Sequence, residues 1–493
     1  MAGLLGPASA KPVQDPPPPG QPAAQPALPP RLSLPTRAPQ RPSGVRRVDL
    51  SEALEIGLRQ NPQMQVAAER VEQARATYLQ QKSQKNPRLV LNNGTDIQPE
   101  NSINTERLLG DRRVPGFPDR FVLVSPVTDQ FQLSLQVLLT TFGKVENQIA
   151  ASFLQIDAQS AAAGIDRLNL AYQVKQAFFA KLQADATVEV SRLNLSVANQ
   201  NLDDTRALFE QGVMSRYDIL QAEIEVTSAV QDLAQNLTDV DTAYAGLGNV
   251  LSEWSYHVQP IMPPEVSVDP EVELPALEDF ALLHRPELLS IDYNRAVAQK
   301  LLDAAYGESN PTVTLSANYQ THFGQALSPI DRPSLTLQIQ WPIFDGGFRK
   351  AKVREAESVL RQIDAAQAQQ VNAILVEVQK GWLDLQQTAF TVSTAEQQLA
   401  NSVEYYDMAR RRYLNGLATT LEVSDALRNL VQARSNLVEA RYVRDLAFAK
   451  LEQGLGQDVP DRHLSLDFLA TSTPGSPTVP PVEPTASQEK NDD

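Results

Sequence analysis

The 493-residue chain has no cysteine, which leaves it no disulfide, no thiolate metal site, no catalytic thiol and no lipid-bearing cysteine at its start. Histidine is scarce: His257, His284, His322 and His463 stand singly, without the i, i+4 spacing of a helical metal pair, and read as ordinary polar surface residues. Positive charge is short as well. The formal net charge is −16 and no Lys/Arg-rich block occurs, which sets nucleic acid aside as a partner because phosphate binding needs a basic surface. Long apolar runs are missing too; with aromatics at 6% and a mean hydropathy of −0.30, no stretch supplies the ~18 apolar residues of a spanning helix. A membrane crossing by this chain would have to use strands. There is no Gly-rich phosphate loop, no Ser/His/Asp arrangement and no metal spacing, so neither a catalytic residue nor a cofactor is expected.

Proline is absent from Val127 to Gln259 and from Ile343 to Val459, although the chain has 35 of them. Because proline breaks helix interiors, these two runs are where long helices fit. Residues 1–44 are dominated by proline, and 471–493 are rich in Pro, Ser and Thr. Such composition cannot bury enough apolar area to offset its conformational entropy, so both ends read as disordered tails, the first as a spacer. The opening "MAGLLG" has no basic segment and no apolar core of useful length. No signal peptide is expected there, and the chain reads as a mature or recombinant form, or as one kept inside the cell.

The two proline-free runs are copies of each other. "ALFEQGVMSRYDILQAE" (Ala207 to Glu223) superposes on "RRYLNGLATTLEVSDAL" (Arg411 to Leu427) at an offset of 204. Upstream, Pro62 matches Pro286 and Asn86-Pro87 matches Asn310-Pro311 at 224, while Phe142 matches Phe344 at 202, so the first copy carries about 22 more residues between its strands. This internal duplication predicts a first repeat over 45–260, a linker over 261–277, a second repeat over 278–457 and a C-terminal segment with its tail over 458–493. Each repeat is expected to hold a helix (Ser51 to Gln84; Glu278 to Gly307), two strands, a very long helix, a Gly-containing turn and a return helix. From Gly347 to Tyr413 the apolar positions advance by three and four through Leu375, Val378, Trp382, Leu385, Ala389, Val392, Leu399, Val403, Tyr406 and Tyr413, interrupted by Glu396 and Arg410. Val174, Phe178, Val188, Leu195, Leu202 and Phe209 form the weaker counterpart in the first copy. That is a narrow coiled-coil seam, and some 65 residues at ~1.5 Å each make a rod of roughly 100 Å.

The strands fall near Arg88 to Thr95, Gln130 to Thr140, Thr312 to Thr321 and Ser334 to Phe344. In "SLTLQIQWPIF" the residues Leu335, Leu337, Ile339 and Trp341 lie on one side of an extended chain, with Thr336, Gln338 and Gln340 on the other. Lipid outside and water inside a barrel wall would produce this alternation. A soluble sheet packed on helices would produce it as well. If the barrel reading holds, four strands cannot close it, because known barrels begin at about eight and an open edge in lipid is forbidden, so the barrel must be shared among chains. A freely diffusive porin and a soluble coiled-coil scaffold remain alternatives. Porins build the barrel within one chain and have no use for rods, whereas a scaffold requires the strands to pack in water.

"VDLSEALEIGLRQNPQM", "QWPIFDGGFRKAKVREAE" and the paired turns "FEQGVMSRYDILQAE" and "YLNGLATTLEVSDA" occur in an order and spacing that resembles the outer membrane factors of the TolC family, over roughly Val48 to Gln457. The resemblance implies an α+β membrane protein. Three chains give four strands each to one twelve-stranded outer membrane β-barrel, continued through the periplasm by an α-helical coiled-coil barrel. It implies a passive export duct of a tripartite efflux pump or type I secretion system. Its partners would be a periplasmic adaptor protein, an inner membrane pump of the RND or ABC kind, and outer membrane lipid.

On this resemblance Gly212 and Val213, with Gly416 and Leu417, form the adaptor-contact turns, while glycine also suits a plain helix C-cap there. Asp218, Glu422 and Asp425 would line a constriction at the periplasmic mouth, although Ser215 to Asp218 and Thr419 to Glu422 equally read as capping boxes. The basic latch residue of the best-known members is replaced by Ala418, and Arg216 is expected to take its role, with Tyr217 and Tyr413 hydrogen-bonding between helices. Trp341 suits an interfacial aromatic belt or packing on a neighbouring strand.

Overall fold

A computed structural model describes residues 45–97, 101–104, 120–254, 257–268, 272–325, 330–457 and 463–464. The expected tails over 1–44 and 471–493 lie outside these residues. Each repeat opens with two short helices where one was expected: α1 (Leu50–Gln60) and α2 (Pro62–Ser83) in the first, α5 (Leu274–His284) and α6 (Pro286–Gly307) in the second. The break falls on the residue before proline, whose α conformation the proline ring disfavours. Asn61 and Arg285 are accordingly extended, at φ −68°, ψ 129° and φ −71°, ψ 119°. Both reach the far end of their own repeat: Asn61 Nδ2 donates to Val250 O at 2.7 Å and Arg285 Nη1 to Gln453 O at 3.0 Å.

The rods are α3 (Lys144–Glu210) and α7 (Phe348–Leu414), 67 residues each, returning as α4 (Arg216–Leu251) and α8 (Thr420–Gly454). Gly143 and Gly347 start the rods at φ 109° and 93°, so the offset of 204 runs from the first helical residue down. Phe142 (φ 51°) therefore corresponds to Gly346 (φ 65°), not to Phe344 as the sequence match suggests. In α7 the buried seam is a strict heptad, with Val378, Leu385, Val392, Tyr406 and Tyr413 at one position and Ile374, Gly381, Thr388, Ala395 and Ala409 at the other. Large and small layers alternate, which lets the neighbouring backbone come close; a Cβ on Gly381 would meet the Leu451 Cα of α8 at 3.4 Å. Ala389, Val403 and, in the first copy, Phe209 are exposed rather than in the seam. The interruptions are ion pairs to neighbouring helices: Glu396 with Arg441 of α8 at 2.9 Å and Arg410 with Asp204 of α3 at 3.0 Å.

Packing between neighbours gives one layer of four helices. Its order is α4-α3-α8-α7 in the lower half and α2-α3-α6-α7 in the upper half. Around mid-height Phe178, Val174, Leu247 and Leu251 are fully buried against α1. Lys175 of α3 crosses to Glu452 of α8 at 2.8 Å, both nearly buried. Short parallel pairs β1 (Val45–Val48) with β5 (His257–Pro260), and β6 (Ser267–Val268) with β9 (His463–Leu464), tie the beginning of each repeat to its end. These pairs were not expected from the sequence, being too short to show a period.

Above the helices stands one antiparallel sheet of β2 (Arg88–Ile97), β4 (Arg120–Thr140), β7 (Thr312–Gln325) and β8 (Ile330–Gln340), in the order β2-β4-β7-β8 with β3 (Asn101–Asn104) beside β4. Register sets mostly like residues side by side in the rows nearer the helices, whereas farther up Phe131 stands between Asn93 and Thr321. One row is Leu89, Leu135, Ala317 and Leu335; the adjacent row, on the other face, is Val90, Ser134, Asn318 and Ser334. A second polar row reads Asn92, Gln132, Gln320 and Arg332, and another apolar row Val137, Leu315 and Leu337. Leu335, Leu337 and Ile339 are 74, 60 and 66% exposed. Trp341 does not belong to the strand, which ends at Gln340 before Pro342; its indole donates to Ser309 O at 3.1 Å while the ring remains exposed. Ile343 and Phe344 lie beyond the strand as well.

Candidate functional site

The foot of the rods gathers most of the residues singled out in the sequence. Each rod ends in the same hydrogen-bond pattern. Gly212 N donates to Phe209 O at 2.9 Å and Val213 N to Leu208 O at 3.0 Å, matched by Gly416 N to Tyr413 O at 2.9 Å and Leu417 N to Arg412 O at 2.8 Å. This double closure requires a left-handed residue after the last helical turn, and glycine supplies it at φ 76° and 69°. Val213 and Leu417 are left 55 and 69% exposed at the turns.

Ser215 and Thr419 then restart the helices as N-caps in capping boxes with Asp218 and Glu422. The two boxes differ in tightness. Asp218 Oδ2 accepts from Ser215 Oγ at 2.6 Å and Ser215 N at 2.9 Å, and Oδ1 accepts from Thr420 Oγ1 at 2.9 Å, so one carboxylate caps α4 and joins the two turns. The Ser215 hydroxyl, working against burial, holds this carboxyl below the ordinary aspartate value. Glu422 Oε1 is 3.5 Å from Thr419 N and Oγ1, and Oε2 lies 4.0 Å from Arg412. Asp425 pairs with Arg428 at 2.6 Å on an exposed face.

Arg216 and Tyr217 are exposed, and Arg216 makes no ion pair among the described residues. Tyr413 does not sit with them on a surface. At 2% exposure it is locked in the seam, its hydroxyl 2.9 Å from Thr205 Oγ1 of α3, because its heptad position points it at the partner helix. It is one rung of a ladder between α3 and α7, the others being Tyr406 to Asn201 Oδ1 at 3.0 Å and Arg410 to Asp204. The helix-to-helix hydrogen bond expected of Tyr413 is thus made within one chain.

Sequence reasoning missed Glu225. Burial pushes its carboxyl up from the ordinary glutamate range, opposed by a hydrogen bond with Ser424 of α8 and by Arg428. It belongs to a run of acids at every seventh residue of α4, namely Asp218, Glu225, Asp232 and Asp239, one face of a coiled helix. Asp218 and Glu225 each touch the start of α8 across the intervening rod. The spacing was visible in the sequence; the contact with α8 was not.

A sheet apolar on one face and polar on the other, standing on paired rods that end in an acidic tip, defines a subunit of a channel. The comparisons with known proteins agree. A family model described as outer membrane efflux protein matches residues 53–253 and 278–457, and the chain belongs to that family. It is an outer membrane efflux channel protein, a family of channels and not of enzymes. Relatives include SilC of Salmonella typhimurium, named a probable outer membrane lipoprotein, 25% identical over 429 residues, 83% of this chain and 85% of that one. CusC of Escherichia coli O157:H7, named a cation efflux system protein, is 24% identical over 419 residues, with 83 and 85% covered. A solved CusC structure superposes with TM-score 0.70 at 19% identity, covering 83% of this chain and 92% of that one. The outer membrane protein VceC of Vibrio cholerae gives 0.66 at 18%, covering 83 and 96%.

Proposed function

We propose that three copies of the chain close one twelve-stranded barrel and one helical tube below it, making the passive export duct of a tripartite efflux pump or type I secretion system. One observation carries this reading. The sheet is apolar on one face over the rows nearer the helices, from Leu91-Leu133-Tyr319-Pro333 to Val137-Leu315-Leu337, yet β2 and β8 each have a neighbour on one side only among the described residues. Unpaired backbone groups in hydrocarbon cost several kcal/mol each, so such edges persist in a membrane only if another copy pairs with them. The helical layer ends on the same sides, at α2 and α4 on one and at α7 on the other. A head-to-tail contact repeated by rotation closes both layers together.

Asp218, Glu422 and Asp425, with Arg216 and Tyr217 beside them, then surround one axis in three copies and form the periplasmic gate, while Tyr413 supports it from inside the seam. Carboxylates so crowded attract cations. Gly212, Val213, Gly416 and Leu417 offer a bare, apolar tip to a periplasmic adaptor, which joins the duct to an RND or ABC pump in the inner membrane; the pump supplies the energy. Single-channel recording in a planar bilayer tests the reading, comparing the wild type with Asp218→Asn, Glu422→Gln and Asp425→Asn combined. A low, cation-favouring conductance that rises in the variant is expected. A large conductance indifferent to the changes would leave the acids as helix caps in an open pore. Arg216→Glu should alter conductance and drug sensitivity, and unchanged values would remove Arg216 from the gate.

A further inference from the structure

The duplication supplies an internal comparison at a groove between α7 and α8. The groove measures about 490 Å³, within the ~300–1,000 Å³ of small-molecule sites, and is lined by Gln397, Gln398, Asn401 and Tyr405 of α7 with Asn429 and Gln432 of α8. The rest of the lining, Thr394 and Ser402, brings hydroxyls. In a chain that is 21% charged, this whole surface is polar and carries no charge; the exposed acids Glu404 and Asp407 lie outside it. Shifted by 204, the six positions read Leu193, Asn194, Val197, Asn201, Glu225 and Ser228, and the two hydroxyl positions read Val190 and Ala198. Four apolar residues and an acid in one copy thus stand as amides and hydroxyls in the other. The two sets also do different work. In the first copy Asn201 accepts from Tyr406 and Glu225 meets Ser424, so the second repeat occupies both. In the second copy all six are exposed, and of them only Gln432 makes a side-chain hydrogen bond among the described residues, donating to Asn436 Oδ1 at 2.8 Å.

The heptad gives the groove its direction. Asn429 and Gln432 stand one heptad beyond Glu422 and Asp425, ~10 Å further up the same face of α8. With those acids facing the axis, as proposed above, the groove opens into the tube just inside the gate. We infer that it is a lumenal binding site for an uncharged, polyhydroxylated ligand, a short oligosaccharide, repeated once per chain; this rests on the duct reading and names a class of cargo for it. Each side-chain amide carries donors and an acceptor together, which matches a sugar hydroxyl that both gives and takes a hydrogen bond. Tyr405, 46% exposed, offers the negative face of its ring to the C–H side of a sugar. A cation finds no carboxylate in the lining, an anion no ammonium or guanidinium, and an apolar molecule only the tyrosine ring. From Thr394 to Tyr405 the groove runs ~16 Å along α7, long enough for several sugar units in a row. Its walls are exposed throughout, so binding is weak and reversible, as passage requires.

Calorimetric titration of maltotriose into the detergent-solubilised protein tests the site. A Kd of roughly 1 mM is expected. Gln397→Leu with Asn401→Val, which installs the residues of the first copy, should weaken it by about tenfold or more, and Tyr405→Ala should do the same by removing the platform. All three positions are exposed, so the fold survives the changes. Absence of binding, or binding indifferent to these substitutions, would overturn the site. Tighter binding of triglycine or of spermine would overturn the saccharide assignment. Ion current in a planar bilayer reads the placement separately: maltotriose should interrupt the current of the wild type and lose that effect in the double variant. Maltotriose that binds but leaves the current unchanged, with high-molecular-weight dextran binding equally well, would put the groove on the outer wall and overturn the lumenal placement. Protein that binds maltotriose and passes no current at all would overturn the duct and leave the binding site standing.

Discussion

At the first turn the chain reverses through Gln211, Gly212 and Val213 and restarts at Ser215. At the second, 204 residues later, it reverses through Asn415, Gly416 and Leu417 and restarts at Thr419. Both use the same two closing hydrogen bonds, a glycine of positive φ, a hydroxyl N-cap and an acid three residues on. Their electrostatics diverge. Where α4 has Asp218, Glu225, Asp232 and Asp239, α8 has Glu422, Asn429, Asn436 and Val443. Their anchoring diverges too, since Tyr413 is buried and its counterpart Phe209 is 42% exposed. The duplication has kept the part that glycine and caps dictate, and has divided the remaining work: the second copy holds the tip together, and the first carries its charge.

That division can be broken experimentally, beginning with the anchors. Tyr413→Ala should cost about 3 kcal/mol of stability, a buried aromatic lost with its hydrogen bond, whereas Phe209→Ala should stay within about 0.5. Denaturant midpoints in detergent would show it, and equal losses would mean that the two anchors are not distinct. The turns sharpen the comparison by their likeness. Gly212→Ala and Gly416→Ala should each cost about 1 kcal/mol from the left-handed backbone, and nearly the same amount, because a Cβ meets nothing within 4 Å at either site.

The acids should separate next. Asp218→Asn loses a tight cap and the Thr420 link, about 1 kcal/mol, while Glu422→Gln costs a few tenths. Because the Asp218 carboxyl is depressed in the folded state, its contribution is complete above the unfolded value near 3.8 and is lost as pH falls through the folded one. Wild type and Asp218→Asn should therefore converge in acid. Glu225 has the opposite sign. Its carboxyl is raised by burial, so ionisation weakens the fold at neutral pH, and Glu225→Gln should be neutral or slightly stabilising there, the gain fading as pH falls through the raised value toward 4.5. Destabilisation by Glu225→Gln at neutral pH would contradict the assignment.

Much of this architecture is legible without coordinates because its signals are periodic and long. Heptads over two 67-residue rods, period-two strands and a constant offset each repeat often enough to outweigh local exceptions. Short features were not legible. The β1-β5 and β6-β9 pairs bring together segments more than 190 residues apart through four residues or fewer, and nothing in Val45–Val48 or Ser267–Val268 names the partner. Trp341 continues the alternation of β8, but the proline that follows ends the strand, so pattern and backbone disagree there. At the tip, capping could be read from Ser215 and Thr419. The partners of Tyr413, Arg410 and Glu225 depended on which rods lie side by side, and periodicity does not say.

The most direct test of the account is which medium each face of β8 meets. In the cysteine-free background, single spin labels at positions 335 to 340 can be probed in lipid with oxygen, which concentrates in the bilayer, and with a water-soluble nickel chelate. Labels replacing Leu335, Leu337 and Ile339 should respond to oxygen, and those replacing Thr336, Gln338 and Gln340 to nickel, in strict alternation. Equal access of the nickel reagent to both sets would place the sheet in water and contradict the shared barrel.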